Sequence, residues 1–257
     1  MVKKEYVTDN GIIRYDVIIK NNNLDTVVLL HGWGMERSTF KSIVSKINNK
    51  FNIINIDFLG FGESDVPNKC IGVKEYTKYI KGIIDENNIN SNKLILIGHS
   101  FGGRVCIRYG SLYKYKKIFL VSAPAFKNKS LQYYKKVIVY KLKKNILKVI
   151  SRKKYYKFIK NKGSNDYKNA SGIMKDIFKK VVRYDLTSDL KKLTNNVVIL
   201  SSVNDDVVCY KDQIKMYKMI DNSIFYPFYK SNHFLYITEE DKFIDILYRE
   251  LGYVYNI

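Results

Sequence analysis

Short, unbroken apolar runs punctuate the chain at 26–30, 52–56, 93–97, 118–121 and 197–200, with a weaker one at 224–228. A strand with one face in water alternates apolar and polar residues. A run that is apolar almost throughout belongs to a strand buried on both faces, as in a parallel sheet. Residues 12–19 alternate only loosely, and Asn21-Asn22-Asn23 behind them reads as a turn. Between the runs, apolar residues fall at helical spacing over 38–47, 73–84, 102–113, 211–220 and 240–251. Strands alternating with helices predict an α/β fold, a mostly parallel sheet covered by helices on both faces.

The alternation breaks over residues 125–190, which contain no good strand. This stretch is rich in Lys and Tyr and carries apolar residues at helical spacing, among them Val137, Val139, Tyr140, Ile146, Leu147 and Ile150. Gly163-Ser164-Asn165-Asp166 reads as a turn inside it. The expected organisation is a core made of 1–124 and 191–257, with 125–190 as a helical insertion over the sheet.

Composition changes this picture little. The 257 residues are 46% hydrophobic and 27% charged, within reach of one sizeable core. The formal net charge of +21 raises nucleic acid or an anionic membrane surface as partners. Lys, Asn, Ile and Tyr are used heavily from end to end, however, as an AT-rich coding sequence would produce, and no nucleic-acid module is present. No nucleic-acid partner is expected, and an anionic membrane surface is the less favoured reading of the Lys-rich insertion. Cys70, Cys106 and Cys209 show neither CxxC nor zinc-ligand spacing. Reduced thiols, no apolar leader behind Met1, and no apolar run near 18 residues together lead us to expect a cytoplasmic protein.

The chemistry begins where Leu94-Ile95-Leu96-Ile97 meets Gly98-His99-Ser100-Phe101-Gly102-Gly103, followed by a helical segment. This is G-x-S-x-G between a strand and a helix, a sharp turn that presents the serine Oγ to a cleft. Gly98 and Gly102 are expected where strand and helix pass too closely for side chains. The helix N-terminus behind Ser100 favours negative charge developing there. Attack by Ser100 on a carbonyl makes an alkoxide, which needs two aimed N–H donors. The turn His31-Gly32-Trp33-Gly34, after the run at 26–30, is placed to supply one. We assign the donors to the backbone of Trp33 and Phe101.

The chain has three histidines. His31 belongs to the oxyanion turn, where it organises the loop, and His99 adjoins the nucleophile on a diverging side of the turn. His233 remains, between the last strand and the last helix, as the base that takes the serine proton. An imidazole of ordinary pKa, about 6.5, can do so at neutral pH. The acid that fixes its tautomer should follow the next-to-last strand, which leads to Asn204-Asp205-Asp206-Val207-Val208. Asp205 and Asp206 are both candidates. Ser122-Ala123-Pro124, after the earlier strand, offers no carboxylate. The chain order is Ser, Asp, His.

These residues resemble the α/β-hydrolase superfamily over nearly the whole chain. Asp57-Phe58-Leu59-Gly60-Phe61-Gly62-Glu63-Ser64 looks like that family's D-x-x-G-x-G-x-S loop. Asn204-Asp205-Asp206-Val207-Val208 is similar to its acid loop, where the aspartate stands two before an apolar pair. The resemblance therefore implies Asp205 as the acid. Ser202 stands in place of the usual Gly and Cys209 in place of the usual Pro. The His-Gly turn with Gly98-His99-Ser100 looks like the capped esterase branch, which includes carboxylesterases, pimeloyl-thioester-type esterases and carbon–carbon bond hydrolases. The resemblance implies that 125–190 is a lid. The serine argues against haloalkane dehalogenases, which use an aspartate.

The expected function is cleavage of a small-molecule carboxylic ester or thioester through an acyl-enzyme on Ser100, without metal or organic cofactor. Two rivals are a carbon–carbon bond hydrolase or lyase on the same scaffold, and a non-catalytic ligand-binding protein.

Overall fold

The computed structural model describes residues 1–127, 139, 143, 164–193 and 196–253. Eight strands form one sheet: β1 (Val2–Thr8), β2 (Gly11–Ile18), β3 (Thr26–Leu30), β4 (Asn52–Ile56), β5 (Leu94–His99), β6 (Lys117–Val121), β7 (Val197–Ser202) and β8 (Ile224–Phe228). Their order is β1-β2-β4-β3-β5-β6-β7-β8. The pairs β1–β2 and β2–β4 are antiparallel, and every pairing from β4 through β8 is parallel.

Helices α1 (Lys41–Ile47), α2 (Val73–Glu86) and α3 (Phe101–Gly110) connect the first parallel strands. Then come α4 (Asn165–Asn169), α5 (Gly172–Arg183) and α6 (Thr187–Leu190) before β7, α7 (Tyr210–Tyr217) before β8, and α8 (Leu235–Thr238) and α9 (Glu240–Glu250) after it.

Two cores follow from the two-residue period of the strands. Val28 and Leu30 of β3 lie with Leu96, Ile118, Ile80 and Val105 in one cluster, against α2 and α3. Val27 and Leu29 of the same strand lie with Ile95, Ile97, Phe119, Ile43 and Leu247 in the other, against α1 and α9. This double burial is why the central strands are apolar throughout. β1 carries no apolar run because it is a sheet edge, exposed along most of its length; the pattern of hydrophobic residues does not announce it.

The expected turn at Ser164 to Asp166 is instead the start of α4, with Ser164 Oγ accepting the Tyr167 N–H at 3.3 Å as its cap. Short polar residues serve turns and helix N-caps by the same side-chain-to-backbone bond, so one sequence signal fits both. Of the other positions cited in the insertion, Val137, Tyr140, Ile146, Leu147 and Ile150 lie outside the described residues.

The end of α5 is tied to the sheet by Arg104 of α3. Its buried guanidinium donates to the carbonyls of Pro124 and Val181, each at 2.9 Å, and to that of Tyr184. Burial pushes its pKa down to about 10, with Asp185 and Tyr184 opposing. The loop after β4 is held just as closely. Buried Asp57 accepts the Arg37 N–H at 2.6 Å and the Glu63 N–H at 2.9 Å, and the Arg37 guanidinium as well. Ser64 Oγ donates to the Asp57 carbonyl at 2.7 Å. This pinning presents Gly60 and Phe61 to the cavity described next.

Candidate active site

The C-terminal ends of the parallel strands open on a cavity of about 610 Å³. Such strand ends are where ligands bind in α/β sheets. The loop after β3 contributes Gly32 and Trp33, the end of β5 His99, the turn behind it Ser100, and the loop after β8 His233 and Phe234.

Ser100 sits at φ 49°, ψ −109°, between β5 and α3. A non-glycine residue there is strained by roughly 1–3 kcal/mol, so the surroundings must hold it. They do: the Ser100 N–H donates to the Val121 carbonyl at 2.9 Å, and the Gly102 N–H to the His31 carbonyl at 3.1 Å. A Cβ on Gly102 would collide with the Leu30 carbonyl, and one on Gly98 would lie 2.6 Å from Cys106 Sγ and the Gly102 backbone. The glycines of the motif thus allow the close crossing that exposes the serine.

His233 is 6% exposed. Its Nδ1–H donates to Asp205 at 2.9 Å (Oδ2) and 3.1 Å (Oδ1). A carboxylate can only accept, so Nδ1 carries a proton, and in a neutral ring Nε2 is then the acceptor. Asp205 Oδ1 also accepts the N–H groups of Val207 and Val208, each at 2.8 Å. Burial opposes ionisation of Asp205, but the His233 bond and these two N–H groups outweigh it and lower its pKa. Of the two candidate acids, then, Asp205 meets the imidazole, while Asp206 is exposed. Ser100 and His233 line the same cavity. Among the described residues no hydrogen bond joins the serine hydroxyl to the ring, a contact that is often loose before substrate binds.

The N–H groups of Trp33 and Phe101 have no hydrogen-bond partner among the described residues. The His31 carbonyl, bonded to Gly102, fixes the two segments that carry them. His31 is wholly buried, with Nε2 accepting the Phe58 N–H at 3.1 Å and Nδ1 donating to the Gly32 carbonyl at 2.7 Å. Burial pushes its pKa down. It organises the loop, as expected from the sequence.

Three features were not legible beforehand. His99 does not diverge from the site: its ring centroid lies 4.7 Å from that of His233, and its Nε2 donates to the His233 carbonyl at 3.0 Å. Ser202, in place of the usual glycine, donates to the Ser231 carbonyl and accepts the Asn204 N–H at 3.1 Å, joining the loop of Asp205 to the loop of His233. Asp166 of α4 also lines the cavity. A main-chain acceptor leaves no trace in sequence, and nothing in a helical stretch says which way one aspartate faces.

The sheet order, the strained serine after β5 and the strand-end cavity are those of an α/β-hydrolase. The sequence pattern of the family described as serine aminopeptidase, S33, matches residues 21–230, and the chain belongs to that family. An uncharacterized protein of Mycobacterium bovis is 28% identical over 99 residues, so the chain spans only 28% of that relative's length. A pimeloyl-[acyl-carrier protein] methyl ester esterase of Pseudoalteromonas atlantica is 27% identical over 205 residues, 75% of this chain and 71% of the relative. Among solved structures, an esterase from Exiguobacterium antarcticum is similar with TM-score 0.70 and 20% identity, over 93% of this chain and 95% of that one. A meta-cleavage product hydrolase from Pseudomonas fluorescens is similar with TM-score 0.71 and 18% identity, over 97% of each chain. At these identities the structural likeness shows the fold. Among the described residues no helix is long and apolar enough to cross a membrane.

Proposed function

We propose that this chain is a serine hydrolase that cleaves a small-molecule carboxylic ester or thioester through an acyl-enzyme on Ser100. The observation that carries the reading is His233, hydrogen-bonded through Nδ1 to Asp205 and lining the same cavity as a serine held at positive φ. His233 takes the Ser100 proton as Oγ attacks the carbonyl. The N–H groups of Trp33 and Phe101 hold the oxyanion, each worth about 10²–10³ in rate. The tetrahedral intermediate collapses, and His233 returns the proton to the leaving alcohol or thiol. Water, deprotonated by His233, then attacks the acyl-enzyme and releases the acid and free Ser100.

Residues 125–190 form the cap in this reading and 1–124 with 191–257 the catalytic core. Support comes from α4 and α5, which bring Asn169, Ala170, Ser171 and Met174 to the cavity wall. A cap excludes water and shapes the acyl pocket.

The test is a panel of acyl esters and thioesters of graded length, assayed on wild type and Ser100→Ala. We expect turnover by wild type and its loss in the variant, with the variant's circular dichroism and melting unchanged. Turnover retained by Ser100→Ala would remove the serine from the mechanism.

A further inference from the structure

Helices α3 and α5 are joined at two places one turn apart. At the first, Phe101 of α3 and Phe178 of α5 both pack on the indole of Trp33, with ring centroids 5.6 Å and 5.1 Å from it. At the second, Arg104 of α3 donates to the carbonyls of Val181 and Tyr184 at the C-terminal end of α5. Phe101 to Arg104 and Phe178 to Val181 are both steps of three residues, so each helix uses one side for both contacts. Met174, a turn earlier on α5, seats on the loop after β4, where a Cβ on Gly60 would collide with its Sδ and Cε.

Arg104 is an expensive residue to place there. It is 3% exposed, and its hydrogen-bond partners among the described residues are three main-chain carbonyls. A buried cation is tolerated only with such partners. The last carbonyls of a helix suit it, because they are unpaired within the helix and carry the negative end of its dipole. An apolar side chain could fill the same space without that desolvation. What a guanidinium adds is direction: its planar fork holds the Pro124 segment after β6 and the end of α5 in one fixed relation to α3.

Trp33 is where that relation reaches the cavity. Its indole is packed by Phe61 as well, with centroids 4.9 Å apart, so three rings from three segments set its place. Only Phe178 among them comes from α5, and Arg104 holds α5 one turn beyond Phe178.

We propose that Arg104 is a positioning residue: by fixing the end of α5 on α3 it seats Phe178 against Trp33 and so aims the Trp33 N–H at the reacting carbonyl oxygen. This rests on the reading of that N–H as an oxyanion donor.

Trp33 is the only tryptophan of the chain, so fluorescence reads this one ring. Full-length wild type, Arg104→Met, Arg104→Lys, Phe178→Leu and Arg104→Met/Phe178→Leu are compared below their melting transitions. We expect Arg104→Met to shift the emission to the red and raise its quenching by acrylamide. Its kcat on the best ester should fall by roughly 10–100-fold with KM little changed, since a misplaced oxyanion donor is missed only in the transition state. Phe178→Leu leaves the Arg104 bonds in place and should show the same two changes. The double variant should be no slower than the slower single variant, because the two residues are links of one chain of contacts. Arg104→Lys keeps the charge without the fork and should lie between wild type and Arg104→Met in both readings; it decides the matter if Arg104→Met does not fold. Wild-type emission and kcat in either Arg104 variant, a loss confined to KM, or losses that add in the double variant would each overturn the proposal. Ester turnover of wild type judges the hydrolase reading separately: were wild type inert, that reading would fail, and quenching alone would decide whether Arg104 seats the indole.

Discussion

The ring of His99 holds the backbone of His233. Its Nε2–H donates to the His233 carbonyl at 3.0 Å, and the two ring centroids are 4.7 Å apart. The residue next to Ser100 thereby fixes the loop that carries His233. His99→Phe keeps a ring of similar shape and loses the donor. We expect kcat/KM on the best ester to fall by roughly 10–100-fold, mainly in kcat, because displacing a catalytic group by about 1 Å costs on that order. Steady-state kinetics beside a melting curve checks it; a fall in stability with unchanged kcat would make His99 merely structural.

Acid should destabilise this fold through its buried histidines. His99 is wholly buried and burial pushes its pKa down to about 3, with the charge of His233 adding to the effect. His31 is shifted in the same direction by burial. The unfolded chain binds protons on these rings near pH 6.5 and the folded chain does not, so stability falls as pH drops below about 6.5. For His99 the loss continues down to about pH 3. Each ring contributes a slope of about 1.4 kcal/mol per pH unit in that window. Asp205 adds a smaller loss of the same sign at lower pH, because its folded pKa is depressed and its stabilisation disappears as pH falls through that value. Urea denaturation from pH 7 to pH 4 should show the slope, reduced by about one proton in His99→Phe. A flat profile would contradict the buried neutral rings.

Ser202 replaces a backbone freedom with two hydrogen bonds, one to the Ser231 carbonyl and one from the Asn204 N–H. Ser202→Gly should therefore lose stability, by about 1–2 kcal/mol, because buried polar groups are left unpaired. It should also lower ester turnover, since the acid and base loops are no longer joined. Denaturant midpoints and kcat measured together test this; a more stable variant would show that the glycine is the better residue here.

The sequence made the sheet legible because burial on both faces leaves the same mark on each central strand, as in Val27 to Leu30 and Leu94 to Ile97. It made the turn at Ser100 legible because a sharp strand-to-helix crossing needs small residues at fixed offsets, and a Cβ on Gly102 would meet the Leu30 carbonyl. Asp205 against Asp206 could not be decided from charge alone; the two N–H groups of Val207 and Val208 that cradle Asp205 are a property of the loop's path. β1 was silent because an edge strand needs no apolar run. The turn of His99 toward His233 has no sequence signal because its partner is a carbonyl, which every residue has.

The central claim is that Ser100 is a nucleophile made reactive by His233. Intact-mass and peptide mapping after treatment with a fluorophosphonate tests it directly. The account predicts one phosphonyl adduct, located on Ser100, with fluoride released. It also predicts no adduct in Ser100→Ala and labelling slowed by at least about 10²-fold in His233→Ala, as loss of a general base requires. Labelling at another residue, no labelling of wild type, or labelling that is indifferent to His233 would contradict it.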